Sequence, residues 1–185
     1  MNNILRNVLM RRSTYQFDPR PISEDDLMDI LEEGKVLSNA AHNQEWHFTV
    51  LQNRALIKKI SDINERYLSK DHADFLKNSK LGDNLLLDAP VLLIISGKKD
   101  AKYVKDAANM VFGSMMLVAD KYGIASCWLT STADIFAEPE GQEVLRMLSI
   151  PAEFTPLCVG AFGYKKTRVN PNVTACDDNI VNIIK

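Results

Sequence analysis

Residues 106–128 read DAANMVFGSMMLVADKYGIASCW, and this stretch decides the fold. Apolar side chains recur at helical spacing as far as Tyr122 and cover most of the helix surface. Gly123 ends the helix, because glycine readily adopts the left-handed conformation found at helix C-termini. The apolar run that follows, Ile124 to Thr130, is typical of a buried strand. We therefore expect a helix that is covered on most sides, either inside the subunit or at a subunit interface, beside a strand of a central sheet.

The rest of the chain alternates helical and extended patterns around this stretch. The predicted helices are residues 4–12, a helix capped by Ser23 that runs to Ser38, residues 55–68 and residues 141–148; the predicted strands are residues 46–51, 90–95 and 154–162. Residues 69–84 are polar and weakly periodic, which predicts a surface excursion. The alternation alone predicts a layered α/β or α+β sheet protein and leaves the strand directions open.

The composition is that of one globular domain covering residues 1–185. The chain carries 22 Lys and Arg against 24 Asp and Glu, for a net charge of −2. This balance lacks the basic excess of nucleic-acid binders, so DNA and RNA are not expected partners. No apolar run reaches the roughly 18 to 20 residues of a membrane span, and the N-terminus lacks a signal-peptide apolar region. We expect no membrane association and a cytoplasmic location.

The sequence lacks the motifs of several classes of functional site. Cys127, Cys158 and Cys176 are odd in number and show no Cys-x-x-Cys spacing, so we expect buried free thiols and no metal site. His42 and His47 likewise lack a metal-ligand pattern. The sequence contains neither the glycine fingerprint of Rossmann dinucleotide sites nor a P-loop.

Three basic clusters indicate an anion site. They are Arg11-Arg12-Ser13, Lys98-Lys99 and Lys165-Lys166-x-Arg168. Arg offers a planar fork, Lys a point charge and Ser a hydroxyl, a mixture that suits a phosphomonoester. The structural alternative is that Arg11 and Arg12 complement the dipole of their own helix and that Lys165 and Lys166 form a solvated turn.

The segment Ser38–Trp46 places amide and imidazole side chains between a predicted helix and a predicted strand. Such groups can hydrogen-bond to the edge of a flat heterocycle. The alternative is a polar connector that caps the preceding helix.

Four motifs in this order resemble the nitroreductase family of FMN-dependent oxidoreductases. Arg11 to Phe17 resembles R-R-S-x-R-x-F, and Ala40 to Phe48 resembles P-S-x-x-N-x-Q-P-W-x-F. Asp106 to Trp128 resembles a longer motif that ends in G-L-G-S-C-W, and Ala161 to Tyr164 with Arg168 resembles the final strand and basic tail.

The resemblance implies an α+β fold with a mostly antiparallel central sheet, flanked by helices and assembled as an intertwined homodimer with two FMN sites. Arg11, Ser13, Lys166 and Arg168 would hold the phosphate, and the loop Asn39–Gln44 would lie along a flavin bound mainly by the other subunit. The backbone after Trp128 would face flavin N5. The residues that the resemblance assigns to the cofactor site are Arg11, Arg12, Ser13, Tyr15, Asn39, Ala40, His42, Asn43, Gln44, Thr130, Ser131, Lys166 and Arg168.

The sequence also departs from the family pattern. Tyr15 stands where a cation is usual, which predicts a more negative flavin potential or a substitute cation. Either His42 or Asn43 takes the place of the family's Asn, depending on a one-residue gap. Gly113-Ser114 replaces a common Gln-Asn pair.

The function implied is oxidation of NADH or NADPH by FMN, in alternation with reduction of a nitroaromatic, quinone or enone. No catalytic side chain is expected, because the cofactor carries the chemistry. Two alternatives remain. One is a specialised member that fragments flavin, dehalogenates or dehydrogenates azolines, and the other is a non-catalytic dimeric binding protein.

Overall fold

The computed structural model describes residues 3–14, 16–38, 46–71, 88–101, 104–130, 132–166 and 184. Within these ranges the helices are α1 (Asn3–Met10), α2 (Glu24–Ser38), α3 (Arg54–Asp71), α4 (Val104–Lys121) and α5 (Pro139–Met147), with a short 3₁₀ helix at Asp134–Ala137. The strands are β1 (Trp46–Leu51), β2 (Val91–Lys98), β3 (Ala125–Trp128) and β4 (Phe154–Gly163).

The four strands form one sheet in the order β1-β2-β4-β3, and each neighbouring pair is antiparallel. Trp46 lies opposite Gly97 at one end of the sheet, and Ala125 lies opposite Gly163 at the other. This settles the strand directions that periodicity left open. The sheet flanked by helices agrees with the α+β fold implied by the resemblance.

Alternate residues of β2 face two separate apolar layers, because successive side chains of a strand point to opposite faces. Leu92 and Ile94 pack in the layer that contains the apolar side of α3. Leu93 and Ile95 pack in the layer that contains α2 and α4. The short apolar run predicted as a central strand is therefore buried on both faces.

The long apolar helix α4 is covered mostly within its own chain. Phe112 is fully buried, and its ring meets that of Phe162 edge to face and lies 6.3 Å from that of Trp128. A Cβ on Gly160 would lie only 2.0 Å from the Phe112 ring, so β4 has to carry glycine beneath this side chain. Met110 points away from these contacts and is 64% exposed.

The element ends follow local signals. Ser23 caps α2 by accepting a hydrogen bond from the Asp26 backbone N–H at 3.2 Å, and Gly123 ends α4 with φ at +70°.

Several predicted bounds were wrong. β2 continues to Lys98 because β4 pairs with it that far, and β3 ends early at Trp128. α1 already ends at Met10, and α5 begins at Pro139, after a 3₁₀ helix that the sequence did not predict.

The predicted excursion at residues 69–84 begins inside α3, which continues to Asp71; residues 72–84 lie outside the described ranges. No helix in the described part of the chain is both long enough and apolar enough to cross a bilayer.

Substitutions at two glycines test the packing of α4 on the sheet. We expect Gly160→Ala to lower the free energy of unfolding by about 1–3 kcal/mol, because the new methyl group must displace the Phe112 ring. The matched control is Gly113→Ala within α4, where nothing lies within 4 Å of the added Cβ. That change should stabilise the helix by up to about 1 kcal/mol. Urea denaturation measures the free energy of unfolding of both variants. Equal changes in the two variants would contradict the packing of Phe112 on Gly160.

Candidate functional site

The N-terminal strap, comprising Thr14 and Gln16–Asp18, runs alongside the ends of β3 and β4. The Thr14 N–H donates to the Ser126 carbonyl at 3.1 Å, and Phe17 forms an antiparallel bridge with Lys165. The Lys166 N–H donates to the Gln16 carbonyl at 3.2 Å. Two basic clusters that are about 150 residues apart in sequence are therefore joined by backbone hydrogen bonds.

The strap is held by packing as well as by its backbone. Phe17 is 3% exposed, and a Cβ on Gly163 would collide with Phe17 and Pro90. The Arg20 guanidinium lies 3.7 Å from the centre of the Tyr164 ring. Such cation–π contacts add to the hydrogen bonds that hold the strap to the end of β4.

Arg11 and Arg12 have different surroundings. Arg12 Nη1 donates to the carbonyls of Leu9 and Arg11, at 2.8 and 2.7 Å, and so satisfies backbone groups at the end of α1. Arg11 Nη1 is buried and has no hydrogen-bond partner in the described part of the chain. The helix-end interpretation therefore holds for Arg12. The buried donor of Arg11 favours an acceptor from a bound anion, since buried polar groups are nearly always paired.

Cys127 of β3 is the neighbour of this arginine. Burial raises the pKa of the Cys127 thiol to about 11, although the charge of Arg11 and a hydrogen bond with the Ser13 side chain act to lower it. The thiol is therefore neutral near pH 7 and does not neutralise the guanidinium. The other described cysteine, Cys158, is also a buried free thiol, and burial raises its pKa to about 12.

Arg11 and Ser13, next to Cys127, form what we call the anion cradle. It offers a guanidinium with a free donor and an exposed hydroxyl, and the backbone of Lys166 is attached to the same strap. Charge-assisted hydrogen bonds from such donors are the strong interactions by which proteins hold phosphate. The arrangement can therefore bind a phosphate group.

β3 leads from the anion cradle to Thr130. Cys127 and Ser126 lie beside the cradle, and the Leu129 N–H donates to the Val159 carbonyl at 2.9 Å just beyond the strand. The four residue steps from Ser126 to Thr130, the last two of which lie beyond β3, span about 13 Å when extended. Thr130 is exposed, and the neighbouring Trp128 is 39% exposed.

The start of β1 lies at the far end of the sheet from the cradle. Ser126 is level with Phe162 and Val91, whereas Trp46 pairs with Gly97, six residues further along β2. At the usual strand spacing and rise per residue, roughly 25 Å separates Ser126 from Trp46. The fold thus joins the segments that carry Arg11, Ser13 and Lys166 and keeps the cradle far from the first residue of β1.

Eight of the predicted site residues lie outside the described ranges: Tyr15, Asn39, Ala40, His42, Asn43, Gln44, Ser131 and Arg168. His47 is half-buried; its Nδ1 lies 3.3 Å from the Thr49 hydroxyl, and its ring packs near Phe154. No three His, Cys, Asp or Glu side chains cluster to hold a metal among the residues that the structure covers. The sequence analysis missed the proximity of Arg11 and Ser13 to the Cys127 thiol, because this proximity joins segments that no periodic pattern connects.

Known proteins are similar to this chain in fold and in sequence. A nitroreductase from Bacteroides fragilis NCTC 9343, crystallised with bound FMN, is 25% identical, with both chains covered over 100% of their length and a TM-score of 0.86. A nitroreductase from Desulfitobacterium hafniense DCB-2, also with bound FMN, has the same TM-score and full coverage at 20% identity, which shows the fold alone.

A relative from Archaeoglobus fulgidus is 26% identical over 171 residues, which cover 90% of this chain and 87% of the relative. It carries the provisional name NADH dehydrogenase/NAD(P)H nitroreductase. The sequence profile of the nitroreductase family matches residues 8–164, a range that includes the last three residues of α1, the strap and the whole sheet. The chain therefore belongs to the nitroreductase family.

Proposed function

We propose that this protein is an FMN-dependent NAD(P)H oxidoreductase that acts as a homodimer on a small acceptor such as a nitroaromatic, quinone or enone. The observation that carries the proposal is the buried donor of Arg11, which lacks an acceptor in the described part of the chain. A phosphate monoester supplies such an acceptor, and the B. fragilis relative was crystallised with FMN bound.

The phosphate would be held at the anion cradle. Arg11 would give a charge-assisted hydrogen bond, Ser13 a hydroxyl donor, and Lys166 and Arg168 further positive charge. Arg12 contributes indirectly, since its guanidinium holds the end of α1 from which Arg11 extends.

The flavin ring would lie toward the far end of β3. The roughly 13 Å of chain between Ser126 and Thr130 leaves room for the ribityl chain between phosphate and ring. The backbone N–H groups of Thr130 and Ser131 would donate to the ring at N5. Backbone donors suit this task because they are fixed in place before the reaction and do not titrate.

FMN, when bound, supplies the redox chemistry by accepting hydride from NADH or NADPH and passing the electrons to the acceptor. The residues of this chain bind the phosphate, orient the ring and limit the access of water. We assign no acid or base to a side chain.

A second subunit is inferred from the opposite edges of the sheet that carry β1 and β3. Residues 39–44 lie just before β1 in sequence, and β2 and β4 lie between β1 and β3 of the same chain. If residues 39–44 and β3 contact one flavin, residues 39–44 come from a partner. The exposed apolar side chains Val8, Leu9, Met10, Met110 and Trp128 supply a surface that such a partner would cover.

The first test is cofactor binding with turnover. Protein mixed with excess FMN and then desalted should remain yellow, and its flavin absorbance should bleach on anaerobic addition of NADH or NADPH. Addition of menadione or a nitrofuran should restore the absorbance. A colourless desalted protein would refute the proposal. Bound FMN that neither reductant bleaches would favour a non-catalytic binding protein.

The second test separates Arg11 from Arg12. We expect Arg11→Ala to weaken FMN binding by about 1.5–3 kcal/mol, the usual contribution of a hydrogen bond to a charged group. Riboflavin, which lacks the phosphate, should bind Arg11→Ala and the unaltered protein equally well. The matched control is Arg12→Ala, which removes the contacts at the end of α1 and should mainly lower the melting temperature. Flavin fluorescence titration measures both affinities, and equal losses in the two variants would contradict the separate roles.

A further inference from the structure

Two backbone hydrogen bonds, which we call the exit ladder, join the strap to the chain just beyond β4. The Asp18 N–H donates to the Tyr164 carbonyl at 2.8 Å, and the Lys166 N–H donates to the Gln16 carbonyl at 3.2 Å. β4 itself ends at Gly163. The exit ladder therefore sets the direction in which Lys166 leaves the sheet.

Arg20 adds a side-chain contact to the exit ladder. Its guanidinium carbon lies 3.7 Å from the centre of the half-buried Tyr164 ring. The Arg20 N–H donates to Asp18 Oδ1 at 2.9 Å, which closes a turn just beyond the strap and brings Arg20 back over the ring. A cation this close to the face of an aromatic ring is attracted by its π electrons.

The exit ladder gains from such a contact because it lies at an exposed end of the sheet. Lys165 and Lys166 are exposed, and backbone hydrogen bonds at the exposed end of an element open most easily. The charges of Arg20, Lys165 and Lys166 also repel one another when no anion is near. The attraction between Arg20 and the Tyr164 ring opposes both effects and keeps the ladder closed.

We propose that Arg20 is a positioning residue for the cofactor phosphate: through Tyr164 it holds the exit ladder closed, keeps Lys166 beside the strap and so increases the affinity for FMN. This inference rests on the proposed function, which takes Lys166 as a ligand of that phosphate. A segment that is ordered before the ligand arrives loses less conformational entropy on binding, and the difference appears as affinity.

The alternative role for Arg20 is a direct effect of its charge on the phosphate, and the Tyr164 ring separates the two roles. If Arg20 acted by its charge alone, loss of the ring would leave its effect on affinity unchanged. If Arg20 acts through Tyr164, loss of either side chain has the same consequence, and loss of both adds nothing further.

Flavin fluorescence titrations compare FMN with riboflavin, which lacks the phosphate. Arg20→Gln should raise the Kd for FMN about threefold, the usual strength of an exposed cation–π contact, and leave the Kd for riboflavin unchanged. Tyr164→Leu should cause the same loss, and adding Arg20→Gln to it should cause no further loss. Tyr164→Met replaces Tyr164→Leu if leucine prevents folding, with the same expected result.

Amide hydrogen exchange tests the exit ladder directly in the full chain. In Arg20→Gln the amides of Asp18 and Lys166 should exchange about threefold faster, because their hydrogen bonds open more often. The Thr14 amide, which is bonded to the Ser126 carbonyl at the other end of the strap, should exchange at an unchanged rate.

The matched control is Arg146→Gln, which removes one positive charge from the last turn of α5. The ratio of its affinities for FMN and riboflavin should equal that of the unaltered protein. An equal loss of FMN affinity in Arg146→Gln and Arg20→Gln would show an effect of net charge alone.

Five results would overturn the inference: an unchanged Kd for FMN in Arg20→Gln, unchanged exchange of its Lys166 amide, equal weakening of FMN and riboflavin, losses that multiply in the double variant, or an equal loss in Arg146→Gln. Each of these leaves the proposed function standing if the unaltered protein binds FMN. Unaltered protein that binds no FMN would instead refute the proposed function, and the inference would fail with it.

Discussion

The backbone pairing of the N-terminal strap with the ends of β3 and β4 is the constraint on which the candidate site depends. Thr14 bonds to Ser126 and Gln16 to Lys166, so residues near both ends of the matched family region lie together. Side chains alone would hold these cations apart, because like charges repel. Backbone hydrogen bonds and the buried Phe17 offset that repulsion and keep Arg11 in place with a buried, unpaired donor. The fold thus leaves a buried cationic donor available to an anion.

The second constraint is the distance that the sheet places between β3 and β1. The antiparallel order of the strands places β3 and β1 on opposite edges, with the cradle at one end and Trp46 at the other. Two strands, about 14 Å at the usual strand spacing, separate a ligand that lies along β3 from β1 of the same chain. The intertwined dimer that we propose follows from this geometry together with the exposed apolar side chains of α1 and α4.

The sequence predicted the elements well where one local signal dominates. The Ser23 cap, the Gly123 helix end and the unbroken apolar run of β2 each depend on neighbouring residues, and the structure confirms all three. The strand directions, the length of β3 and the 3₁₀ helix depend on pairing and packing between distant segments, which periodicity does not encode. The candidate site shows the same difference between local signals and contacts of distant segments. The motifs predict that Arg11 and Ser13 hold a phosphate, whereas the different surroundings of Arg11 and Arg12 and the proximity of Cys127 to Arg11 emerge only in three dimensions.

The contact of Phe112 with Gly160 has a consequence for how this protein can diverge. The aromatic ring fills the space that a side chain on β4 would otherwise take, so the volumes at the two positions are complementary. A larger residue at 160 is compatible with the fold only when 112 becomes smaller in the same lineage. Substitutions at this helix–sheet contact should therefore appear as correlated pairs among descendants of this sequence, with single changes removed by selection.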